Sequence, residues 1–332
     1  MLELVDFDSV QTPSSASFIV YGGNAGAKEA VIYNDGVWMI KHPKTTRDLL
    51  NPQISYTTSP LSEFLGSKIY ESLGIPVHET ALGIRKNKIV VACKDFTFGT
   101  SQLVTDMSVP ILRLVPFHDL KNSFMSNDVD EYSGTGSETL LDEVLATINN
   151  QENLKSIPGV LERFWDMFVI DAFIGNNDRN NGNWGILVNM WPDIFQHVLS
   201  APQLAPVYDN GNAFFNKRSV MQMQKRLEDD EYVQNDAYNI ECAYKYTGLD
   251  NEGHKINPFE FIESGSHQGC TDAGCRFMNS VDMAKIEAII NDIPEHVGTL
   301  AVMPRIQKEF YTKLLKARFV LIKNALNKIF ST

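Results

Sequence analysis

The sequence predicts an α+β protein in two lobes: a five-stranded antiparallel sheet with one helix, then a mainly helical half. Three observations predict it. Short apolar runs broken by turn signals fill the first 97 residues, with a single helical stripe among them. From about Phe98 the strands give way to helical periodicity and longer loops. A chain of 332 residues is also too long for one small core. The expected division is 1–97 and 98–332.

Ser17-Phe18-Ile19-Val20-Tyr21 reads as the first strand, Ala30–Tyr33 as the second and Val37–Lys41 as the third. Gly22-Gly23-Asn24-Ala25-Gly26-Ala27-Lys28 joins the first two, and Asn34-Asp35-Gly36 is a hairpin signal. Glycines let backbone N–H groups approach phosphates closely, and Lys28 would add charge. The same glycines also suit a plain structural hairpin, and no Gly-Lys-Ser/Thr opens a helix as in a Walker A loop. Lys41 ends the third strand. Burying a lysine beside Trp38-Met39-Ile40 is costly unless it meets an anion; the alternative is a strand-end lysine reaching water.

Ser59-Pro60 supplies an N-cap and a first-turn proline for a helix with the stripe Leu61, Leu65, Ile69 and Leu73, stopped by Gly74. Glu63 lies off that stripe. It is either the partner of Lys41 or a solvated carboxylate favoured by the helix dipole. Glu79–Gly83 and Lys88–Cys93, turned around Lys86-Asn87, complete the five strands. The exit, Lys94-Asp95-Phe96, offers backbone groups that could meet an adenine edge.

In the second half, Lys121–Ser137 is polar, with Gly134 and Gly136, and is expected to be mobile. Glu138–Ile148 reads as a short amphipathic helix. Pro158–Ile174 is a long one with Leu161, Phe164, Trp165, Phe168 and Ala172 at helical spacing. It feeds the polar loop 175–185, and Trp184–Val188 beyond it reads as a short buried strand. Within the loop, Asp178 and Asn183 have the Asp-x-x-x-x-Asn spacing of a kinase catalytic loop. There the Asp accepts the substrate hydroxyl proton and the Asn holds magnesium. A second metal carboxylate should follow, and Pro206-Val207-Tyr208-Asp209-Asn210-Gly211 supplies an apolar strand closed by Asp-x-Gly. The rival reading is two plain surface turns, for which Asp, Asn and Gly are the usual residues. Phe214–Tyr246, with Lys217-Arg218 and Glu228-Asp229-Asp230-Glu231, reads as a solvated face or as substrate-facing loops. Val281–Ile290 and Arg305–Ile329 are helices.

Composition excludes some classes. A net charge of −12 without a basic run argues against nucleic-acid binding. The N-terminus lacks an apolar signal region, and the most apolar stretch, Phe164–Gly175, is broken by Asp166 and Asp171. A soluble cytoplasmic protein off the membrane is expected, with signal-independent export left open. Four cysteines, Cys93, Cys242, Cys270 and Cys275, suit a reduced compartment. Cys270 and Cys275 near His254 and His267 are spaced too loosely for a zinc finger and read as free thiols in a flexible loop.

Together these residues resemble the HipA-like bacterial serine/threonine kinases, whose fold is related to phosphoinositide and protein kinases, and within them the short stand-alone CtkA type. The motifs that carry the likeness are Gly-Gly-Asn-Ala-Gly-Ala-Lys, Trp-Met-Ile-Lys-His-Pro, Ser-Glu-Phe, Ile-Val-Val-Ala-Cys-Lys-Asp-Phe, Gly-Asn-Asn-Asp-Arg-Asn-Asn-Gly-Asn-Trp-Gly and Pro-Val-Tyr-Asp-Asn-Gly. They run in order from residue 22 to 211.

The resemblance implies Asp178 as catalytic base and Asn183 and Asp209 as magnesium ligands. It implies Lys41, with Glu63, on the ATP phosphates, and Gly23, Asn24, Ala25, Gly26, Ala27 and Lys28 as the phosphate loop. Cys93, Lys94, Asp95 and Phe96 would form the hinge, and Tyr208 would join the nucleotide site. Three departures stand out. Asn176-Asn177, not His-Arg, precede Asp178. The loop serine that toxin members autophosphorylate has no clear match. The extra N-terminal segment of full-length toxin members has no counterpart, so an antitoxin partner is not indicated. The expected activity is transfer of the ATP γ-phosphoryl group to protein Ser or Thr, autophosphorylation included. A small-molecule or lipid kinase and a non-catalytic nucleotide-binding module are the alternatives.

Overall fold

The computed structural model describes residues 1–10, 12, 28–34, 36–49, 53–98, 112–126, 139–190, 201–246 and 253–331. The expected first strand, Ser17–Tyr21, and residues 23–27 of the glycine loop lie outside them. The chain forms two compact units that divide it in alternation. The first is Met1–Val109, Asn210–Ala237 and Val281–Ala317; the second is Pro110–Asp209, Tyr238–Ser280 and Arg318–Thr332.

The first unit opens with β1 (Val5–Asp6), β2 (Lys28–Tyr33), β3 (Gly36–Lys41), α1 (Ser59–Ser72), β4 (Thr80–Arg85) and β5 (Lys88–Lys94). The five strands pair in the order β1-β4-β5-β3-β2. Four are antiparallel, as the turn signals require. The fifth, β1, is two residues long and runs parallel to β4, a pairing no sequence pattern announced. Arg85 faces Lys88 across a turn in which Lys86 and Asn87 both have positive φ, 51° and 56°. That geometry matches the right-handed twist of a tight hairpin.

Alternation along the strands puts Phe7, Val31, Trp38, Ile40, Val90 and Ala92 into one buried cluster. Helix α1 packs on β4 and β5, and its stripe of Leu61, Leu65, Ile69 and Leu73 is buried. Its N-cap is Thr58, one residue before the expected Ser59, because the Thr58 carbonyl already takes the first helical bond, from Ser62 N–H.

The second unit begins with β6 (Leu112–Pro116), α2 (Phe117–Ser126), α3 (Leu141–Asn150), α4 (Glu152–Lys155), α5 (Val160–Ile174), β7 (Gly185–Asn189) and β8 (Gln203–Leu204). Residues 121–126, read from sequence as part of a mobile loop, are the last turns of α2. Buried Phe117 and Leu120 anchor that helix, and buried Lys121 pairs with Glu143 of α3 at 2.5 Å. β7 lies between β6 and β8. The expected strand at Pro206–Tyr208 is not one: the ladder ends at β8, and only Val207 keeps a bridge.

The chain then forms α6 (Val220–Leu227) and α7 (Asp230–Tyr238) in the first unit and α8 (Pro258–Ser264) and α9 (Gln268–Ser280) in the second. Of the charges in 214–246, Lys225, Arg226, Asp230 and Glu231 ride on helices that bury little more than Met223, Val233 and Ala237, whereas Lys217-Arg218 and Glu228-Asp229 lie in the segments before them. Cys270 and Cys275 stand on α9, not in a loop. Gly269 and Gly274 allow this helix to pack closely. A Cβ on them would come within 2.6 Å of Trp165 and 2.8 Å of Leu326. α10 (Met283–Asp292) belongs to the first unit, and α11 (Arg305–Ser331) passes from the first into the second. Among the described residues no helix is long and apolar enough to cross a membrane.

Candidate active site

The polar loop 175–184 is held by the second unit's core. Gly175, with φ 70°, ends α5 in the left-handed conformation. Beyond the loop, Trp184 stacks on Phe117 at 4.2 Å, and the N–H groups of Phe117 and His118 donate to the carbonyls of Trp184 and Asn181, each at 2.9 Å. The start of α2 thus ties down the far end of the loop.

Inside it, Asp178 is exposed. Its N–H donates to Asn176 Oδ1 at 3.2 Å, and its Oδ1 accepts from Asn180 Nδ2 at 2.9 Å. Asn183 donates its amide Nδ2–H to the Asp178 carbonyl at 2.6 Å. That bond fixes the amide orientation and leaves Oδ1, an oxygen that could hold a metal, as the other end of the group. Residue 209 is a half-buried aspartate with φ 61°, a left-handed conformation that Asp tolerates better than most residues. Just before it, Tyr208 donates its hydroxyl proton to the Gly182 carbonyl at 3.1 Å.

The organising group, which sequence reading missed, is Arg179. It is buried, and its Nε and Nη2 donate to Asp171 Oδ2 and Oδ1 at 2.8 and 3.2 Å. Its Nη1 donates to the Asn183 carbonyl at 3.0 Å and also to the Tyr208 carbonyl. Asn176 Nδ2 adds a bond to Asp171 Oδ1 at 3.2 Å. One guanidinium therefore fixes the main chain at Asn183 and beside Asp209. The available signal was Asp171, a carboxylate interrupting an apolar helix, with an arginine eight positions on. These bonds tie Asn183 to Asp178 and hold Tyr208 against the same loop, with Asp209 next in the chain. The donor set, an amide oxygen and carboxylate oxygens, is the hard-oxygen chemistry that suits magnesium.

In the first unit, Lys41 Nζ lies 2.8 Å from Glu63 Oε2, with Glu63 only 1% exposed. The solvated helix-start reading of Glu63 is therefore wrong: α1 turns this position inward. Glu63 Oε1 accepts from the N–H of Asn210 at 2.9 Å. Burial works against ionisation of Glu63, but the Lys41 charge, together with hydrogen bonds from His78 and Lys41, outweighs it. The carboxyl is held far below its ordinary value. Lys28, the last residue of the predicted phosphate loop, faces Lys41 directly across β2 and β3.

Of the predicted hinge, Cys93 is buried at the end of β5, and Lys94 pairs with Glu79 at 2.8 Å. The Asp95 N–H donates to the Val37 carbonyl at 2.8 Å, and its carboxylate accepts from Thr97. Phe96 follows in the turn, half-buried. Residues 23–27 lie outside the described residues.

A fold of this make-up, with a strand lysine paired to a helix glutamate and an Asp-x-x-x-x-Asn loop ahead of Asp-x-Gly, belongs to the kinase-like phosphotransferases. No family model matches the chain. Serine/threonine-protein kinase CtkA of Helicobacter pylori strain J99 is 35% identical over 299 residues, 90% of this chain and 81% of that protein. The crystal structure of a Helicobacter pylori proinflammatory kinase CtkA superposes with a TM-score of 0.77 at 32% identity, over 98% of this chain and all of that one. HipA in its complex with HipB and operator DNA from Shewanella oneidensis covers 94% of this chain and 66% of its own, at 11% identity and a TM-score of 0.44, too weak a likeness to carry detail. The chain belongs to the CtkA-type serine/threonine kinases. It is a serine/threonine kinase, and its substrates are proteins.

Proposed function

We propose that this kinase transfers the γ-phosphoryl group of ATP, with magnesium, to Ser or Thr hydroxyls of a protein, its own chain included. The observation that carries the reading is the single Arg179 nitrogen shared by the Asn183 and Tyr208 carbonyls, which anchors the main chain at Asn183 and just before Asp209. Asp178, exposed and steered by Asn180, orients the acceptor hydroxyl and takes its proton. Asn183 Oδ1 and the Asp209 carboxylate are the ligands for the metal. Magnesium, when bound, neutralises charge on the phosphates.

Lys41, fixed by Glu63, binds the phosphates. Lys28, directly opposite across β2 and β3, would add positive charge for them. Residues 23–28 form the phosphate loop, the backbone of 93–96 meets the adenine edge, and Tyr208 joins the nucleotide site. The working halves are 1–97 and 98–332. Most of the rate comes from positioning and electrostatics.

The test is Asp178→Asn with labelled ATP and a protein acceptor. Transfer should fall by at least about 100-fold, the usual worth of a general base, with ATP binding retained. Undiminished transfer would remove Asp178 from the role, and full transfer in a metal chelator would remove magnesium from the reaction.

A further inference from the structure

The Lys41–Glu63 pair has a third member that the activity does not require by itself. His78 lies between α1 and β4 and is 5% exposed. Its Nε2 is 3.1 Å from Glu63 Oε1 and 3.2 Å from Ser67 Oγ. A bare nitrogen lone pair facing a carboxylate at that distance would be repelled, so Nε2 carries the proton and shares it between the two oxygens. Ser67 stands one helical turn after Glu63 on the same face of α1, and its Oγ accepts from Asn210 Nδ2 at 3.1 Å. The Asn210 N–H meets Glu63 Oε1 at 2.9 Å. The bonds close a ring: Glu63, His78, Ser67 and Asn210.

We infer that His78 is the positioning residue that fixes the Glu63 carboxylate, assigning Oε2 to Lys41 and Oε1 to Asn210, the residue after Asp209. The inference rests on the reading of Lys41 and Glu63 as nucleotide-binding groups. A glutamate side chain has three rotatable bonds, and a buried carboxylate keeps one orientation only if each oxygen is held by donors. Lys41 holds Oε2. On Oε1 the Asn210 N–H fixes one direction and the His78 N–H a second. Without the imidazole, Glu63 can pivot about the Asn210 bond, and Lys41 loses its fixed partner. A fully satisfied buried ring of this kind sets geometry more strongly than its separate bonds would.

The surroundings supply a direct test. A pocket of about 540 Å³ between α1 and the chain that follows it is lined by Ser67, His78 and Thr80, among others. Deleting the His78 side chain would open its space to that pocket, and free imidazole could refill it. Steady-state kinetics of His78→Ala should show KM for ATP raised about tenfold, the worth of one hydrogen bond to a charged group, with a smaller change in kcat. Added imidazole, with the untreated and imidazole-treated wild type as controls, should lower that KM again. His78→Gln, whose amide nitrogen sits where Nε2 was, should restore it in part. An unchanged KM in folded His78→Ala would overturn the inference. So would a KM raised equally in the Ala and Gln variants and indifferent to imidazole, because His78 would then act by filling space. If His78→Ala fails to fold, His78→Gln and Ser67→Ala carry the test: a KM in Gln nearer to wild type than that of Ser67→Ala supports the ring, and a KM in Gln equal to or above that of Ser67→Ala overturns it. Glu63→Gln separates the two levels. A normal KM there removes the nucleotide role of the pair itself, whereas a raised KM there with a normal one in His78→Ala removes only His78.

Discussion

Arg179 and Asp171 form a buried ion pair, Nε to Oδ2 at 2.8 Å, with side chains 2% and 5% exposed. Such a pair is costly to desolvate and is stable only when its remaining hydrogen-bonding capacity is met. Here it is met by the carbonyls of Asn183 and Tyr208 and by Asn176. Its role is thus placement of the main chain at Asn183 and at Tyr208, next to Asp209. Removing one member leaves an uncompensated buried charge. Asp171→Ala should therefore cost about 3–5 kcal/mol of stability in denaturant unfolding. Arg179→Lys keeps the charge but has no planar fork to reach two carbonyls and a carboxylate. It should stay folded and need more magnesium for half-maximal activity. A magnesium titration identical to wild type would show that the guanidinium does not set the metal site.

Acid should destabilise the first unit through two carboxylates. Burial opposes ionisation of Glu29, yet hydrogen bonds from Lys86 and Arg85, the Arg85 charge and a bond from His42 bring it from 4.5 to about 2. Glu63 is also held below its unfolded value of 4.5. A depressed carboxyl binds fewer protons folded than unfolded, so its stabilisation is complete above the unfolded value and is lost as pH falls through the folded one. The melting temperature should hold from neutral pH to about 5.5 and fall below 4.5, with the Glu29 part gone near pH 2. Glu63→Gln should fall less steeply across that range. An acid slope equal to wild type would mean Glu63 is not held ionised by Lys41 and His78.

The thiols should divide by burial. Burial lifts Cys242 to about 12 and raises Cys270 as well, so neither offers thiolate at neutral pH. Cys93 is shut inside the sheet-bearing unit. Cys275, half-buried on α9, is the thiol expected to alkylate first. Peptide mapping after brief iodoacetamide treatment at pH 8 checks this, and early labelling of Cys270 would show that α9 opens.

How far the sequence could be read depends on the kind of signal. Lys41 and Glu63 each broke a local pattern, a charge ending an apolar strand and a carboxylate off a helical stripe, and those breaks marked the two partners. Asp178, Asn183 and Asp209 were visible through spacing. Arg179 and His78 break no period. Their importance comes from partners at sequence distances that no pattern fixes, Tyr208 for one and Glu63 for the other. The short parallel strand β1 and the helix through Cys270 were hidden for a related reason. Both depend on tertiary packing, which overrides weak local propensity.

The two ends of α5 offer a controlled comparison of what a glycine is for. Gly159 and Gly175 flank the helix, both left-handed, with φ of 77° and 70°. A Cβ added at Gly159 meets nothing within 4 Å, whereas at Gly175 it would lie 2.3 Å from Arg318 Nη1 and 2.6 Å from Nη2. Arg318 is itself buried, so its guanidinium has no easy way out. Gly159→Ala should then cost only the conformational term, about 1–2 kcal/mol. Gly175→Ala should cost that amount plus the displacement of a buried arginine at the mouth of the catalytic loop, at least about 3 kcal/mol in total. Because Gly175 is three residues before Asp178, that variant should also lose transfer activity while still folded, and Gly159→Ala should keep it. Urea unfolding and phosphotransfer assays on the two proteins decide the matter. Equal losses of stability would mean that backbone strain alone explains both glycines and that Arg318 yields freely.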